Sequence, residues 1–295
     1  MRESLSLCPR KFYWEQIRGY TPKGESEHLI FGAAYAKGLE VFRLSYYGDK
    51  YKDLSPNDRC AESLADAFFA ATLEYGSYDP PEGSAKTYNR LIGAIIEYIL
   101  QYAPENDPVK PSMFQGRPRV EFSFTFEIPG VFHPATGNPL LFTGRSDMLA
   151  EFQSGVFIFD DKTTGALGPT WAKQWALRSQ FTAYTVGAQE SNLPVLGAII
   201  RGIAILKTKY NIAECITHRP PHIVEAWKER LVYDAKRLLE MWHSGYWPQQ
   251  GQENGGCSQY GGCPYQVLCE SIDPEPYLDV YFRKGRYDPV AREVN

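Results

Sequence analysis

The spacing of apolar residues changes near residue 105, and this change most constrains the fold. Before it, apolar residues recur every three or four positions, which is typical of amphipathic helices. After it, the stretch "RVEFSFTFEI" alternates apolar and polar residues, as a strand with one buried face does. Two more strands, a helix and a fourth strand are predicted at 139–152, 155–164, 170–191 and 194–208. The sequence therefore predicts an α/β chain, with a sheet layer packed between helices and a helical N-terminal portion.

Composition excludes some classes of protein. The chain has 295 residues, of which 43% are hydrophobic, so it can bury a substantial core. No run of about 18 apolar residues is present, which argues against a membrane span. The first residues lack the apolar stretch of a signal peptide, and we therefore expect a cytoplasmic protein without a membrane partner.

The net charge of −4 argues against a protein coated in basic surface. It does not argue against a local basic groove, because a nucleic acid responds to the nearby field. Two stretches could form such a groove: "CPRKFY", with Arg10 and Lys11, and "VKPSMFQGRPRV", with Lys110, Arg117 and Arg119.

Two acids and a lysine end the apolar strand "VFIFDDKTT". Side chains alternate along a strand, so Asp160 and Lys162 share one face and Asp161 points to the other. The preceding strand carries Asp147, which a tight hairpin can bring beside Asp160. Two carboxylates and the backbone carbonyl of Asp161 form a set of hard oxygen ligands that suits Mg²⁺ or Mn²⁺. The alternative is a surface Asp–Lys ion pair, which contributes little.

Four of the six cysteines lie toward the two ends of the chain: Cys8, Cys257, Cys263 and Cys269. Thiolates are soft ligands for zinc or for an iron–sulfur cluster. The close cysteine pairs typical of structural zinc are missing, which argues against zinc and leaves an iron–sulfur cluster and buried free thiols as alternatives. The other two cysteines, at positions 60 and 215, fit ordinary structural positions.

The motifs "GRSD", "FIFDDKTT" and "QFTAY" resemble those of the PD-(D/E)XK nuclease superfamily, in its RecB-like branch. The resemblance implies a restriction-endonuclease-like core, with a central mixed sheet flanked by helices. It implies that Asp147 and Asp160 bind the metal and that Lys162 is the catalytic lysine. Gln180 and Tyr184, four apart on one helical face, match the family's Gln-x-x-x-Tyr element near the active site. Taken alone, that pair would indicate ordinary helix packing.

One position departs from the branch. The stretch "FGAAYAKGLE" resembles its early histidine motif, but Ala36 stands where the histidine would be. Alanine cannot bind metal. Either the protein does without that ligand, with Glu40 or a water in its place, or the position was altered to disable the site. Glu40 could equally be a solvated helix residue.

The same branch includes AddB-type helicase-nucleases and CRISPR-associated adaptation nucleases, some of which hold a 4Fe–4S cluster on one N-terminal and three C-terminal cysteines. The order of Cys8, Cys257, Cys263 and Cys269 is similar, although the spacing of the first C-terminal pair is wider than in many members. The resemblance therefore implies a structural 4Fe–4S cluster that ties the two chain ends together.

These observations predict a single nuclease domain over 1–295. It would comprise a helical portion (1–105), a catalytic α/β core (106–245) and a cysteine-bearing segment (246–295). The predicted activity is metal-dependent hydrolysis of DNA phosphodiester bonds, as an exonuclease on ends or single strands. By resemblance, the protein would act in phage recombination or CRISPR adaptation, and any protein partners would belong to those processes. Two alternatives stay open: a DNA-binding or assembly subunit without activity, and a metal-dependent enzyme acting on a substrate other than nucleic acid.

Overall fold

The computed structural model describes residues 2–24, 26–258 and 262–285. The helices are α1 (Arg2–Leu7), α2 (Pro9–Phe12), α3 (Glu27–Tyr47), α4 (Pro56–Tyr75), α5 (Tyr88–Gln101), α6 (Ser179–Glu190), α7 (Pro221–Ser244), α8 (Gln266–Glu270) and α9 (Glu275–Tyr281). The strands are β1 (Tyr20–Pro22), β2 (Lys110–Pro111), β3 (Met113–Phe114), β4 (Arg117–Pro118), β5 (Val120–Phe132), β6 (Pro139–Phe152), β7 (Gly155–Thr164), β8 (Val195–Ile205), β9 (Tyr210–His218) and β10 (Phe282–Lys284).

The chain divides into two compact units. The sheet unit comprises residues 26–126 and 143–227, and the terminal unit comprises residues 1–25, 127–142 and 228–295. The sheet unit carries most of the central sheet, and the terminal unit carries both chain ends.

A six-stranded mixed sheet organises the sheet unit. Its strands run in the order β2, β6, β7, β8 and β9, and β5 also pairs with β6. The β6–β7 and β8–β9 pairs are antiparallel, whereas β7 and β8 are parallel and are connected through α6. Antiparallel neighbours need only a short turn, while the parallel pair needs the longer crossover that α6 provides.

Each face of the sheet is covered by a different set of helices. On one face, α3, α4 and α5 bury a cluster that includes Phe31, Leu39 and Ile95 together with Ile203 of β8. Phe181 of α6 packs on the other face in a second cluster with apolar residues of β6, β7 and β8. The helices begin where their sequences favour it, because the side chains of the N-cap residues of α4 and α5 accept backbone N–H groups.

The terminal unit has two small apolar clusters of its own. Trp14, Tyr265 and Leu278 are buried together beside the short antiparallel pair of β1 and β10. Phe12 and Trp247 are buried in the other cluster, and Arg10 Nε donates to the Trp247 carbonyl at 2.8 Å. Residues from the two ends of the chain therefore pack together.

The predicted α/β class, with a mixed sheet flanked by helices, is confirmed. Strands β6 and β7 have the predicted bounds, because both end at turn residues. The helix predicted at 170–191 is shorter, since its first part forms only a 3₁₀ turn at Lys173–Trp175. Strand β9 was not predicted, because its residues include few of the strongly apolar types that mark a buried strand. No helix in the described part of the chain is long and apolar enough to span a membrane.

Gly197 of β8 is paired with His218 of β9. A Cβ at this position would overlap the Thr217 carbonyl oxygen and would lie 2.8 Å from His218 Cα. We therefore expect Gly197→Ala to lower the free energy of unfolding by about 2 kcal/mol or more, because backbone atoms of β9 can move only by breaking the ladder. Urea denaturation measures the change. Gly165→Ala is the matched control, since a Cβ there meets open space, and equal stability of the two variants would contradict this account of the packing.

Candidate active site

The antiparallel register of β6 and β7 brings two acids together. The last paired residues before the site are Met148 and Phe159, so the next position places Asp147 opposite Asp160. The backbone pairing of β6 with β7 ends there. The Asp147 side chain replaces a backbone acceptor, because its Oδ2 accepts the Asp161 backbone N–H at 3.0 Å. The main chain of β7 therefore fixes the side chain of Asp147.

Asp160 and Lys162 form the centre of the site. Asp160 is 1% exposed, and the Lys162 ammonium lies 2.5 Å from its Oδ1, which accepts no aligned hydrogen bond from the described residues. Burial and the neighbouring charge of Asp147 raise the pKa of Asp160 well above its ordinary value. Burial alone would lower the pKa of Lys162, but the charges of Asp160 and Asp147 raise it. The buried Asp160 carboxylate and the half-buried Asp147 carboxylate thus lie near a single ammonium group.

Helix α6 supplies Gln180 and Tyr184 to the same face of the sheet. Gln180 Nε2 donates to the Tyr184 hydroxyl at 2.9 Å, as residues four apart on one helical face can. Burial and the charge of Asp160 raise the pKa of Tyr184 to about 12. The phenol therefore stays protonated at neutral pH and lies within the electrostatic reach of Asp160.

Asp161 points to the opposite face, as strand alternation requires. Its Oδ2 accepts a hydrogen bond of 2.5 Å from Arg43 of α3, and both side chains are buried. The same guanidinium donates to the Tyr98 hydroxyl at 2.9 Å and lies 4.8 Å from the centre of the Phe159 ring. Burial raises the pKa of Asp161, and the charge of Arg43 opposes that rise.

A second buried arginine extends this polar layer. Arg201 of β8 is paired in register with Asp161 and donates twice to the Asp107 carboxylate, at 2.6 Å each. Its Nε donates to Glu214 at 2.8 Å, and its guanidinium lies 3.5 Å from the centre of the Tyr102 ring. Every charge in this layer therefore has a partner of opposite sign, which buried charges require.

Two further acids, Glu121 of β5 and Glu40 of α3, lie within electrostatic reach of each other. Glu121 is the second residue of β5 and has a φ of 56°, unusual for a residue with a side chain, and it pairs with Arg145 at 2.7 Å. Its pKa is raised to about 7, mainly by burial and also by the charges of Glu40 and Asp147, while Arg145 opposes the rise. Glu40 is half-buried and pairs with Lys37 at 3.2 Å.

Comparison with known proteins identifies the family. A sequence model of the PD-(D/E)XK nuclease superfamily matches residues 2–270. The chain belongs to this superfamily. It is therefore a nuclease, and its α/β architecture agrees with that of the family.

Comparison with solved structures found two similarities at low identity. One is described as a "Putative exonuclease" from Eubacterium rectale, with 11% identity, a TM-score of 0.44 and coverage of 84% of this chain and 81% of that one. The other, described as SSO0001, has 12% identity, a TM-score of 0.34 and coverage of 79% and 84%. Neither likeness is strong enough to carry an argument about activity. No curated protein matches the chain in sequence.

The predicted site residues of the nuclease lie in two places. The structure gathers the predicted catalytic residues of the sheet unit, namely Asp147, Asp160, Lys162, Gln180 and Tyr184. Asp161, the third predicted metal ligand, directs its carboxylate to Arg43, so only its backbone faces the other acids.

Arg43 and Glu121 were missed in the sequence. A charged residue among the apolar positions of α3 was the available signal for Arg43. The left-handed backbone of Glu121 leaves no signal in the sequence.

The four predicted cluster cysteines lie in the terminal unit. A Cβ on Gly251 would lie 2.8 Å from Cys257 Sγ and 3.5 Å from Cys8 Sγ, so both sulfurs flank this glycine. Burial, followed by the charges of Cys8, Cys263 and Cys257, raises the pKa of Cys269 to about 11. The four thiols are therefore close enough to influence one another. Across residues 2–24, 26–258 and 262–285, no three His, Cys, Asp or Glu side chains are arranged to hold a metal ion.

The Arg43–Asp161 pair should be essential to stability. We expect Arg43→Met to lower the free energy of unfolding by about 3–5 kcal/mol, because it leaves the buried Asp161 charge unpaired. The double variant Arg43→Met/Asp161→Leu should regain most of that loss, since neither charge remains. Chemical denaturation of the single and double variants measures both effects.

Lys52→Met is the control for this experiment, because Lys52 pairs with Asp49 at 3.6 Å where both side chains are exposed, and the pair should contribute less than about 1 kcal/mol. Similar losses at positions 43 and 52 would show that burial does not strengthen the inner pair.

Proposed function

We propose that this nuclease hydrolyses DNA phosphodiester bonds with Mg²⁺ or Mn²⁺ bound by Asp147 and Asp160. The observation that carries the proposal is the β6–β7 register, which sets the two carboxylates opposite each other with Lys162 on the same face as Asp160. Phosphodiester hydrolysis needs an activated water and positive charge near the phosphate, and this group of side chains can serve both needs.

The residues fit a divalent cation. The buried Asp160 carboxylate and the half-buried Asp147 carboxylate repel each other, and Asp160 Oδ1 lacks an aligned hydrogen-bond donor within the described part of the chain. A hard cation prefers such oxygens, and the Asp161 backbone carbonyl would complete the predicted protein ligands. The cation would supply a water of lowered pKa and would offset negative charge on the phosphate.

The protein's own side chains would position the substrate. The Lys162 ammonium can hold the attacking water or donate to a phosphate oxygen. Tyr184, held by its hydrogen bond from Gln180, presents a protonated hydroxyl beside the acids and can donate to the same phosphate. Burial of the site strengthens each of these interactions.

Ala36 stands where the RecB-like pattern has a metal-binding histidine, and a nearby acid is the candidate to replace that histidine. Glu40 lies one helical turn after Ala36 on α3, and its charge acts on Glu121. We propose that Glu40, or a water beside it, provides the missing interaction. The cost would be weaker metal binding rather than loss of the site.

The remaining details of this function rest on the RecB-like resemblance. They are action on DNA ends or single strands and a place in phage recombination or CRISPR adaptation with protein partners. A catalytically impaired DNA-binding or assembly subunit is the second candidate, and Ala36 is the observation that favours it.

Substitution of either acid tests the proposal. We expect Asp147→Ala and Asp160→Ala to reduce Mn²⁺-dependent cleavage of DNA by a factor of about 100 or more, because each removes a ligand and a source of transition-state stabilisation. Both variants should also lose the rise in melting temperature that Mn²⁺ gives the parent protein. Cleavage of end-labelled single-stranded DNA and thermal unfolding with and without Mn²⁺ measure the two effects.

Asp53→Ala, which removes an exposed acid, should behave like the parent protein in both assays. A parent protein that binds DNA but never cuts it with any divalent metal would establish the subunit function instead. Rapid hydrolysis of small phosphodiesters with no effect on DNA would indicate an enzyme for another substrate.

We also propose that Cys8, Cys257, Cys263 and Cys269 hold a structural 4Fe–4S cluster. Support comes from the approach of two of the sulfurs to Gly251, where a Cβ would lie 2.8 Å from Cys257 Sγ, and from the contribution of neighbouring cysteines, after burial, to the raised pKa values of Cys263 and Cys269. A cluster would replace unfavourable contacts between neighbouring thiolates with bonds to iron.

Anaerobic purification should therefore yield a coloured protein with about four irons per chain and a broad absorption band near roughly 400 nm. Cys263→Ser should lose the band and lower the melting temperature, because metal binding stabilises the folded chain. Cys60→Ser and Cys215→Ser should keep both. A colourless protein that contains zinc, or no metal at all, would exclude the cluster.

A further inference from the structure

A short hairpin of the sheet unit has no role in the chemistry described above. Strands β3 and β4 pair Phe114 with Arg117 and are connected by only Gln115 and Gly116. Both turn residues have positive φ, 51° and 78°, as in the tight hairpin turn whose twist matches that of its strands. The tip is therefore short and well defined.

The hairpin exposes its largest apolar side chains. Phe114 is 54% exposed and Met113 is 44% exposed. The Arg119 guanidinium lies 4.7 Å from the centre of the Phe114 ring, and Arg117 is exposed beside it. An aromatic ring with a cation on one side and solvent on the other can stack on another flat ring.

The base of the hairpin is attached to the strand that carries Asp147. The Ser112 N–H donates to the Leu149 carbonyl at 2.7 Å, and the Leu149 N–H donates to the Arg119 carbonyl at 2.9 Å. Leu149 is two residues after Asp147, a separation of about 7 Å along a strand. Glu121, whose pKa the charge of Asp147 affects, is two residues after Arg119. The hairpin thus adjoins the candidate active site.

We propose that this hairpin binds single-stranded DNA next to the scissile bond, with a base stacked on Phe114 and phosphates near Arg117 and Arg119. The positive charges complement a phosphate backbone, and the exposed ring suits an unpaired base, whose face is open only when it has left the duplex. The inference rests on the proposed function, and it names the element that would select single strands.

Binding of a fluorescent oligothymidylate in EDTA tests the inference without cleavage. We expect Phe114→Ala to weaken binding by a factor of about 10 or more, because stacking contributes substantially for each base. Phe114→Trp should keep the affinity of the parent, since it retains a stacking ring. Phe69→Ala is the matched control, because Phe69 on α4 is 68% exposed and its removal tests the effect of losing any surface aromatic.

A second assay separates this inference from the proposed function. The rise in melting temperature that Mn²⁺ gives the parent needs the two acids but no stacked base, so Phe114→Ala should keep this rise whereas Asp160→Ala should lose it. If the parent hydrolyses no phosphodiester yet loses oligothymidylate binding on Phe114→Ala, the proposed function fails and the hairpin site stands. If Phe114→Ala binds oligothymidylate as the parent does, or if the parent binds only duplex DNA, the hairpin site is overturned whatever the catalytic result.

Discussion

The repulsion between the buried Asp160 carboxylate and the half-buried Asp147 carboxylate is the constraint on which the rest of the site depends. The β6–β7 register holds the two acids opposite each other, and the burial of Asp160 reduces the screening of this repulsion by water. Lys162 and the Asp161 backbone N–H offset part of this repulsion. Holding two like charges together lowers the free energy of unfolding, and the packing of the surrounding sheet and helices must offset this loss.

The pleat of β7 separates two charge systems that are adjacent in sequence. Asp160 faces α6 with Lys162, while Asp161 faces α3 and pairs with Arg43. Asp161 takes part in both systems. Its carboxylate pairs with Arg43, and its backbone N–H donates to the carboxylate of Asp147. The polar layer on the α3 face therefore supports the geometry of the acids on the α6 face. This link explains why a fully paired, costly ionic layer is retained under the sheet.

The sequence predicts this site well where local rules decide. The alternation in "VFIFDDKTT" and the short turn before it are sufficient to place β6, β7 and the three residues Asp147, Asp160 and Lys162. Arg43 lies 118 residues before its partner, so no local pattern connects them. Glu121 depends on a left-handed backbone at the start of β5, and β9 depends on pairing with β8. These features arise from tertiary contacts, which single-sequence patterns do not contain.

Helix α3 is held in place on both sides of Ala36. A Cβ on Gly32 would lie 3.5 Å from Thr163 Oγ1, so the first turns of α3 come close to β7. Ala36 follows one turn later and is half-buried, while Arg43, near the other end of the helix, is anchored by Asp161. The helix is thus fixed on both sides of position 36 by contacts that do not involve that side chain. Under the proposed function, alanine at this position would change only the supply of metal ligands, because the sheet alone sets the positions of the two acids and the lysine.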